Sequence, residues 1–118
     1  MNDNLKSTID VIAKAAVDKH AEDLQIFQAE KDTNIADYFV ICTGSSTTNV
    51  KAISDNIEKE MKEKLNIVPH HIEGYREGNW VLLDFGNTVV HIFLGETRRF
   101  YSLERLWQDA KKIELDIE

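Results

Sequence analysis

The stretch "NWVLLDFGNTVVHIFL", residues 79–94, restricts the possible folds of this chain more than any other part of the sequence. Two runs rich in β-branched and aromatic residues flank Gly86–Asn87, a dipeptide suited to the positive φ angles of a tight two-residue turn. A loop of these two residues predicts a β-hairpin in which Trp80 lies opposite Phe93. The chain therefore has an antiparallel strand pair whose register is set by its turn.

Both faces of this predicted hairpin are apolar. Strand alternation places Val81, Leu83, Phe85, Val90 and Ile92 on one face, and Trp80, Leu82, Asp84, Val89, His91 and Phe93 on the other. Sequence alone leaves two alternatives open for the second face. Helices could cover it, as in many α/β sheets, which would make Trp80 a core residue. Or it could be an exposed apolar patch that marks a protein interface, where tryptophan is enriched.

The remaining elements predict a single α/β domain over residues 1–118. Apolar residues at helical spacing predict a first helix over about residues 4 to 20, a second helix after Gly44, and a closing helix in "SLERLWQDAKK" that begins with Ser102 as its cap. The segments "DLQIFQA", "YFVICT" and "HHIEG" predict strands, and "KDTNIAD" a polar turn region. We expect a mixed sheet flanked by helices, with a frayed acidic tail at 113–118.

The stretch "FVICTGSSTTNVKAI" has the strand, turn and helix layout of many phosphate sites. A Walker loop needs a lysine followed by Ser or Thr directly after its last glycine, and this stretch has one glycine and a late lysine. A nucleotidyltransferase starts with a similar Gly-Ser turn but needs two carboxylates one residue apart on a later strand, to hold metal ions. After Gly44–Ser45, no D-x-D or D-x-E pair occurs on any predicted strand, and Asp116 and Glu118 lie in the tail. We interpret the stretch as a capped helix start. A nucleotidyltransferase-like or nucleotide-binding enzyme using the Gly44–Ser45 loop is the alternative.

Other candidate reactive residues lack the partners that catalysis or metal binding requires. His70 and His71 are neighbours on a predicted strand and point to opposite faces. His91 lies near Asp84 on the hairpin, but a zinc site needs three or four converging ligands. Cys42 lies inside an apolar strand, where cysteines are usually inert. We therefore predict no catalytic residue, no cofactor and no bound metal.

The charge balance favours a basic protein as partner. With 14 Lys and Arg against 21 Asp and Glu, the formal net charge is −7, which disfavours direct binding of nucleic acid. The single cysteine, Cys42, rules out an internal disulfide and is compatible with a reducing cytosol. The segment "MNDNLKSTIDVIAKAAVDK" predicts neither a signal peptide nor a membrane span. We expect a cytoplasmic protein with no membrane contact.

Three long blocks of the sequence resemble one known family. "ADYFVICTGSSTTNVKAISDNI", "HIEGYREGNWVLLDFGNTVVHIF" and "RRFYSLERLW" resemble the Iojap-like ribosomal silencing factor family (RsfS) over roughly residues 5 to 108, in the family's order and spacing. The hairpin turn departs from the family pattern, since Gly86–Asn87 stands where Gly-Asp is usual. This chain therefore has one negative charge fewer at the turn.

The resemblance implies a regulatory role without catalysis. It implies binding to the large ribosomal subunit through its ribosomal protein fourteen, at the face where the small subunit docks. Bound there, the protein would sterically block subunit joining and repress translation when nutrients are short. It also implies a fold similar to a nucleotidyltransferase core without its catalytic carboxylates, and a possible homodimer. The expected partner-binding residues are Trp80, Leu82, Asp84, His91 and Phe93 of the hairpin, with Tyr101 and Glu104 as further candidates.

Overall fold

Two helices and six strands make up the part of the chain, residues 3–28, 38–95 and 111–113, that the computed structural model describes. The helices are α1 (Asp3–Asp18) and α2 (Thr47–Leu65). The strands are β1 (Glu22–Gln28), β2 (Tyr38–Gly44), β3 (His71–Glu73), β4 (Trp80–Asp84), β5 (Thr88–Leu94) and β6 (Lys111–Ile113). They form one sheet in the order β3-β4-β5-β2-β1-β6.

The sheet is mixed, as the sequence predicts. Strands β2 and β5 are parallel, and the other neighbouring strands run antiparallel. Parallel strands need a long connection, and here it contains α2, β3 and β4. All seven residues of β2 are buried, which agrees with its continuous apolar sequence. The predicted fold class, an α/β domain with a mixed sheet and flanking helices, is confirmed.

The hairpin of β4 and β5 has the predicted register. Pairing runs from Trp80 opposite Phe93 to Asp84 opposite Val89. Gly86 adopts a φ of +90° at the turn, a conformation that glycine enters without steric cost. Its N–H donates to a carboxylate oxygen of Asp84 at 2.8 Å. The two-residue turn therefore positions the side chains of both strands as the sequence indicates.

The two faces of the sheet carry two separate apolar clusters. The first contains residues of α1, α2 and the sheet face beneath them, among them Ile12, Ile53, Ile57, Val81 and Leu83. The second contains, among the described residues, strand side chains alone: Phe27, Phe39, Ile41, Val89 and Phe93, with Trp80 and Leu82 packed against them. Both described helices thus lie on one side of the sheet. We call the opposite side the second face.

The C-terminal prediction is wrong in one respect. Lys111–Ile113 forms β6, which pairs antiparallel with β1 and places Ile113 opposite Ile26. The closing helix therefore does not continue through Lys112, and the tail does not begin at Ile113. The edge of β1 offers unpaired backbone N–H and C=O groups to which another strand can bond. The spacing of apolar residues along a helix gives no information about such long-range pairing. Three predicted segments lie outside the described residues: the rest of the closing helix, the turn at 31–37 and the tail at 114–118.

Candidate partner-binding face

Strands β3 and β4 present a mixed apolar and acidic surface on the second face. Trp80, Leu82 and Asp84 alternate along β4 and are each partly exposed. The β3 register sets His71 opposite Asp84 and Glu73 opposite Leu82, so both belong to the same face. We call these five residues the β4 face. Strand β3 is the last strand at this end of the sheet order, so the β4 face lies along a sheet edge.

The structure divides the five predicted hairpin residues into two groups. Trp80, Leu82 and Asp84 are partly exposed, whereas His91 is 6% and Phe93 0% exposed. The expectation that all five form an exposed patch is therefore wrong for His91 and Phe93. Their strand, β5, lies inside the sheet between β4 and β2, and the His91 ring packs against the rings of Phe39, Trp80 and Phe93.

Trp80 is half-buried. It is thus neither the fully buried core residue nor the fully exposed patch residue of the two alternatives that the sequence leaves open. Its ring packs against the second cluster, yet part of it stays accessible. Trp80 is therefore fixed by packing on one side while the rest of its ring remains accessible. The further candidates Tyr101 and Glu104 lie outside the described residues.

His91 holds Trp80 by a hydrogen bond beneath the surface. The indole Nε1–H of Trp80 donates to Nδ1 of His91 at 3.0 Å, and the Trp80 and Phe93 ring centroids lie 5.0 Å apart. Burial lowers the pKa of His91 to about 4, so its imidazole is neutral at neutral pH. A neutral imidazole has one nitrogen that can accept a hydrogen bond, and Nδ1 has this role here.

The acidic part of the β4 face includes one residue that the sequence prediction missed. Glu73 is exposed and lies 3.0 Å from Nε2 of His71, while the Asp84 carboxylate accepts a hydrogen bond from the hairpin turn. Alternation within "HHIEG" already places His71 and Glu73 on one side of a strand. The missing step was the pairing of β3 with β4, which the short connection between these consecutive strands favours.

The Gly44–Ser45 loop forms a helix cap, as predicted. Ser46 is the N-cap of α2, and its Oγ accepts from the N–H of Asn49 at 3.0 Å. The Asn49 side chain accepts from the N–H of Ser45 at 3.0 Å and donates to the carbonyl oxygen of Lys19 at 2.9 Å. These bonds engage the N–H groups of Ser45 and Asn49, and the Asn49 amide attaches the start of α2 to the end of α1.

Close packing explains the glycine of this loop. A Cβ on Gly44 would lie 2.6 Å from Cγ2 of Val50 and 3.0 Å from its backbone nitrogen. Gly44 lets α2 start directly against the end of β2, a requirement independent of any ligand. Within the described ranges, no three His, Cys, Asp or Glu side chains are grouped so that they could hold a metal ion. In the same ranges, neither helix has the length and apolarity needed to cross a membrane.

A second polar cluster lies on the helix side of the molecule. The Tyr75 hydroxyl donates to Asp55 on α2 at 3.1 Å, and Lys51 lies over the Tyr75 ring, 5.7 Å from its centroid. The hydrogen bond to Asp55 raises the pKa of Tyr75. Burial and the nearby Asp55 charge raise the pKa of Glu58. This cluster fixes the β3–β4 loop on α2 and is separate from the β4 face.

Comparison with known proteins identifies the family. The family model for "Ribosomal silencing factor during starvation", RsfS, matches residues 2–118. The Bacillus subtilis "Ribosomal silencing factor RsfS" is 42% identical over 113 residues, which cover 96% of this chain and 95% of that protein. The mouse "Mitochondrial assembly of ribosomal large subunit protein 1" is 36% identical over 104 residues, which cover 86% of this chain and 46% of that protein. Maize "Protein Iojap, chloroplastic" is 34% identical, covering 88% of this chain and 45% of that protein.

Solved structures share the fold. A crystal structure from Bacillus halodurans aligns with a TM-score of 0.82 at 34% identity and covers 93% of this chain and 99% of its own. A crystal structure from Chromobacterium violaceum aligns with a TM-score of 0.84 at 27% identity, covering 100% of this chain and 95% of its own. Sequence and fold agree over nearly the whole length, and the chain belongs to the ribosomal silencing factor family.

Proposed function

We propose that this protein binds the large ribosomal subunit and blocks joining of the small subunit, which represses translation under nutrient limitation. Its relatives carry the names ribosomal silencing factor and mitochondrial assembly of ribosomal large subunit protein. The observation that carries the proposal is the β4 face, where a partly exposed tryptophan and leucine lie beside carboxylates on a sheet face opposite both described helices.

A basic ribosomal protein fits this surface better than ribosomal RNA does. The chain has a net charge of −7, and Asp84 and Glu73 add local negative charge to the β4 face. Phosphate backbones repel such a surface, whereas a basic protein surface is attracted to it. We assign ribosomal protein fourteen of the large subunit as the contact protein, as the family resemblance implies.

The mechanism is steric and involves no bond-breaking step. Trp80 and Leu82 supply apolar contact area, and large aromatic side chains contribute much of the binding energy of protein interfaces. Asp84 and Glu73 orient the approach and raise the association rate. A domain of this size, with a radius of gyration of 13.0 Å, occupies enough space on a subunit-docking face to exclude the second subunit.

Co-sedimentation with purified large subunits tests the surface. Trp80→Ala should weaken binding by roughly 30-fold, because removing an interface hot spot costs about 2 kcal/mol or more. Val17→Ala is the matched control, since Val17 is an exposed apolar residue on α1 and should bind like the wild type. Urea unfolding of both variants shows whether they remain folded. If folded Trp80→Ala binds like the control, the β4 face is the wrong surface.

The acidic contribution has a separate test. Asp84→Asn removes the charge but keeps an oxygen that can accept from the N–H of Gly86. We expect slower association and a weaker salt dependence of the association rate. Glu63→Gln removes one charge from an exposed position on α2 and should leave the rate close to that of the wild type. Equal effects of the two substitutions would show that only net charge matters.

A further inference from the structure

We propose that His91 is a positioning residue for partner binding, which holds the Trp80 indole in its binding orientation by accepting the indole N–H. The proposal rests on the proposed function, in which Trp80 contacts the ribosomal partner. It adds a role for a side chain that is itself 6% exposed and so makes little direct contact with a partner.

The geometry of the three rings supports this role. Nε1 of Trp80 lies 3.0 Å from Nδ1 of His91, a good N–H···N distance. The imidazole is stacked on Phe93, with centroids 5.9 Å apart and planes 9° apart, and on Phe39 at 6.4 Å and 29°. The acceptor is therefore fixed by its own neighbours. A fixed acceptor restricts rotation of the indole more than apolar packing alone does.

The chemical identity of residue 91 is otherwise unexpected. Its neighbours in the second cluster are apolar, and burial of a polar ring among apolar side chains costs free energy unless a hydrogen bond compensates. An apolar residue would fill the position without that cost. Besides an Nε2–H donor, histidine adds a nitrogen acceptor, Nδ1, that is directed at Trp80. A preformed contact residue loses less conformational freedom when its partner binds, which strengthens binding.

Three substitutions separate the acceptor from simple packing. His91→Phe keeps a ring of similar size and removes the acceptor. His91→Asn places an amide oxygen near the position of Nδ1 and keeps it. His91→Gln carries its acceptor one methylene further out, so it should not bond the indole in the same place. The order of effects therefore distinguishes a hydrogen-bonding role from a general role in filling space.

The spectroscopic test follows the indole N–H of Trp80 by NMR in nitrogen-15-labelled protein, with Trp80→Phe to assign the signal. We expect a clear shift of this signal in His91→Phe and His91→Gln, and a signal closer to wild type in His91→Asn. The binding test is affinity for purified large subunits. Loss of one hydrogen bond and of preorganisation should weaken binding roughly 3- to 10-fold in His91→Phe, with recovery in His91→Asn.

The outcomes separate this inference from the proposed function. If Trp80→Ala weakens binding while folded His91→Phe binds like wild type, the positioning role is overturned and the binding face stands. If Trp80→Ala binds normally, the binding face itself is wrong. If all three His91 variants weaken binding equally, His91 acts by packing and the inference fails. If His91→Phe does not fold, His91→Asn and His91→Gln decide, and equal binding by these two overturns the inference.

Discussion

Lowering the pH should destabilise this protein through His91 before most carboxylates titrate. Burial lowers the pKa of folded His91 from 6.5 to about 4. At pH values between about 4 and 6.5, residue 91 binds a proton in the unfolded chain but not in the folded chain. The stability that neutral His91 preserves is therefore fully present above about pH 6.5 and is lost as the pH falls towards about 4. The shift corresponds to roughly 3 kcal/mol over the whole window, and to about 2 kcal/mol between about pH 7.5 and about pH 5.

Urea unfolding of the wild type and His91→Asn at these two pH values measures the effect. Other charged groups near the β4 face, Asp84, Glu73 and His71, are present in both proteins, so their contributions largely cancel in the comparison. The wild type should lose about 2 kcal/mol more than His91→Asn on going to about pH 5. Equal losses in the two proteins would refute the conclusion that His91 is buried in its neutral form.

Three further substitutions test separate parts of the structure. Gly74→Ala should lower the free energy of unfolding, measured by urea denaturation, by about 2 kcal/mol or more. Gly74 has a φ of +79°, and a Cβ there would clash with the carbonyl oxygen of Trp80. An unchanged urea midpoint would contradict this backbone conformation. Asn49→Ala should cost about 1–2 kcal/mol, since it removes the side-chain bonds that join the ends of two helices, and thermal unfolding measures it. Asp55→Asn should lower the raised pKa of Tyr75, which NMR titration measures. An unchanged pKa would exclude the hydrogen bond between Tyr75 and Asp55.

Local sequence signals were sufficient where one turn or one period decides the structure. The Gly86–Asn87 turn determines the hairpin register, and every predicted cross-strand pair from Trp80 to Asp84 occurs. The apolar period after Gly44 likewise predicts the buried side of α2, with Val50, Ile53, Ile57 and Met61 all buried. These features depend on neighbours within a few residues along the chain, so the sequence contains the necessary information.

Long-range contacts were not predictable from local pattern. Pairing of β2 with β5 and of β6 with β1 joins segments far apart in the sequence. The interior position of β5 follows from that pairing, and the burial of His91 is likewise a property of the folded molecule that local pattern does not contain. The bond from Trp80 to His91 likewise needs the three-dimensional arrangement of two side chains. The sequence could therefore place the proposed binding face only on a strand pair, and the exposure of each residue came from the fold.

The roles of Gly44 and Asn49 also could not be predicted from local sequence. A glycine and a row of hydroxyls before a helix are common to phosphate loops and ordinary caps. The tertiary contacts favour an ordinary cap: Gly44 packs against Val50, and the Asn49 amide is bonded to Ser45 and Lys19. Only the contact with Lys19 joins Asn49 to a distant part of the chain, and nothing in the local sequence indicates it.

An assay of subunit joining with purified ribosomal subunits, monitored by light scattering, tests the central claim most directly. Large subunits are first mixed with the wild type, with Trp80→Ala or with the Val17→Ala control, and small subunits are then added. The proposed steric mechanism predicts that the wild type and Val17→Ala prevent formation of whole ribosomes, and that Trp80→Ala does so only at much higher concentration. Normal joining in the presence of saturating wild-type protein that remains bound to the large subunit would contradict it.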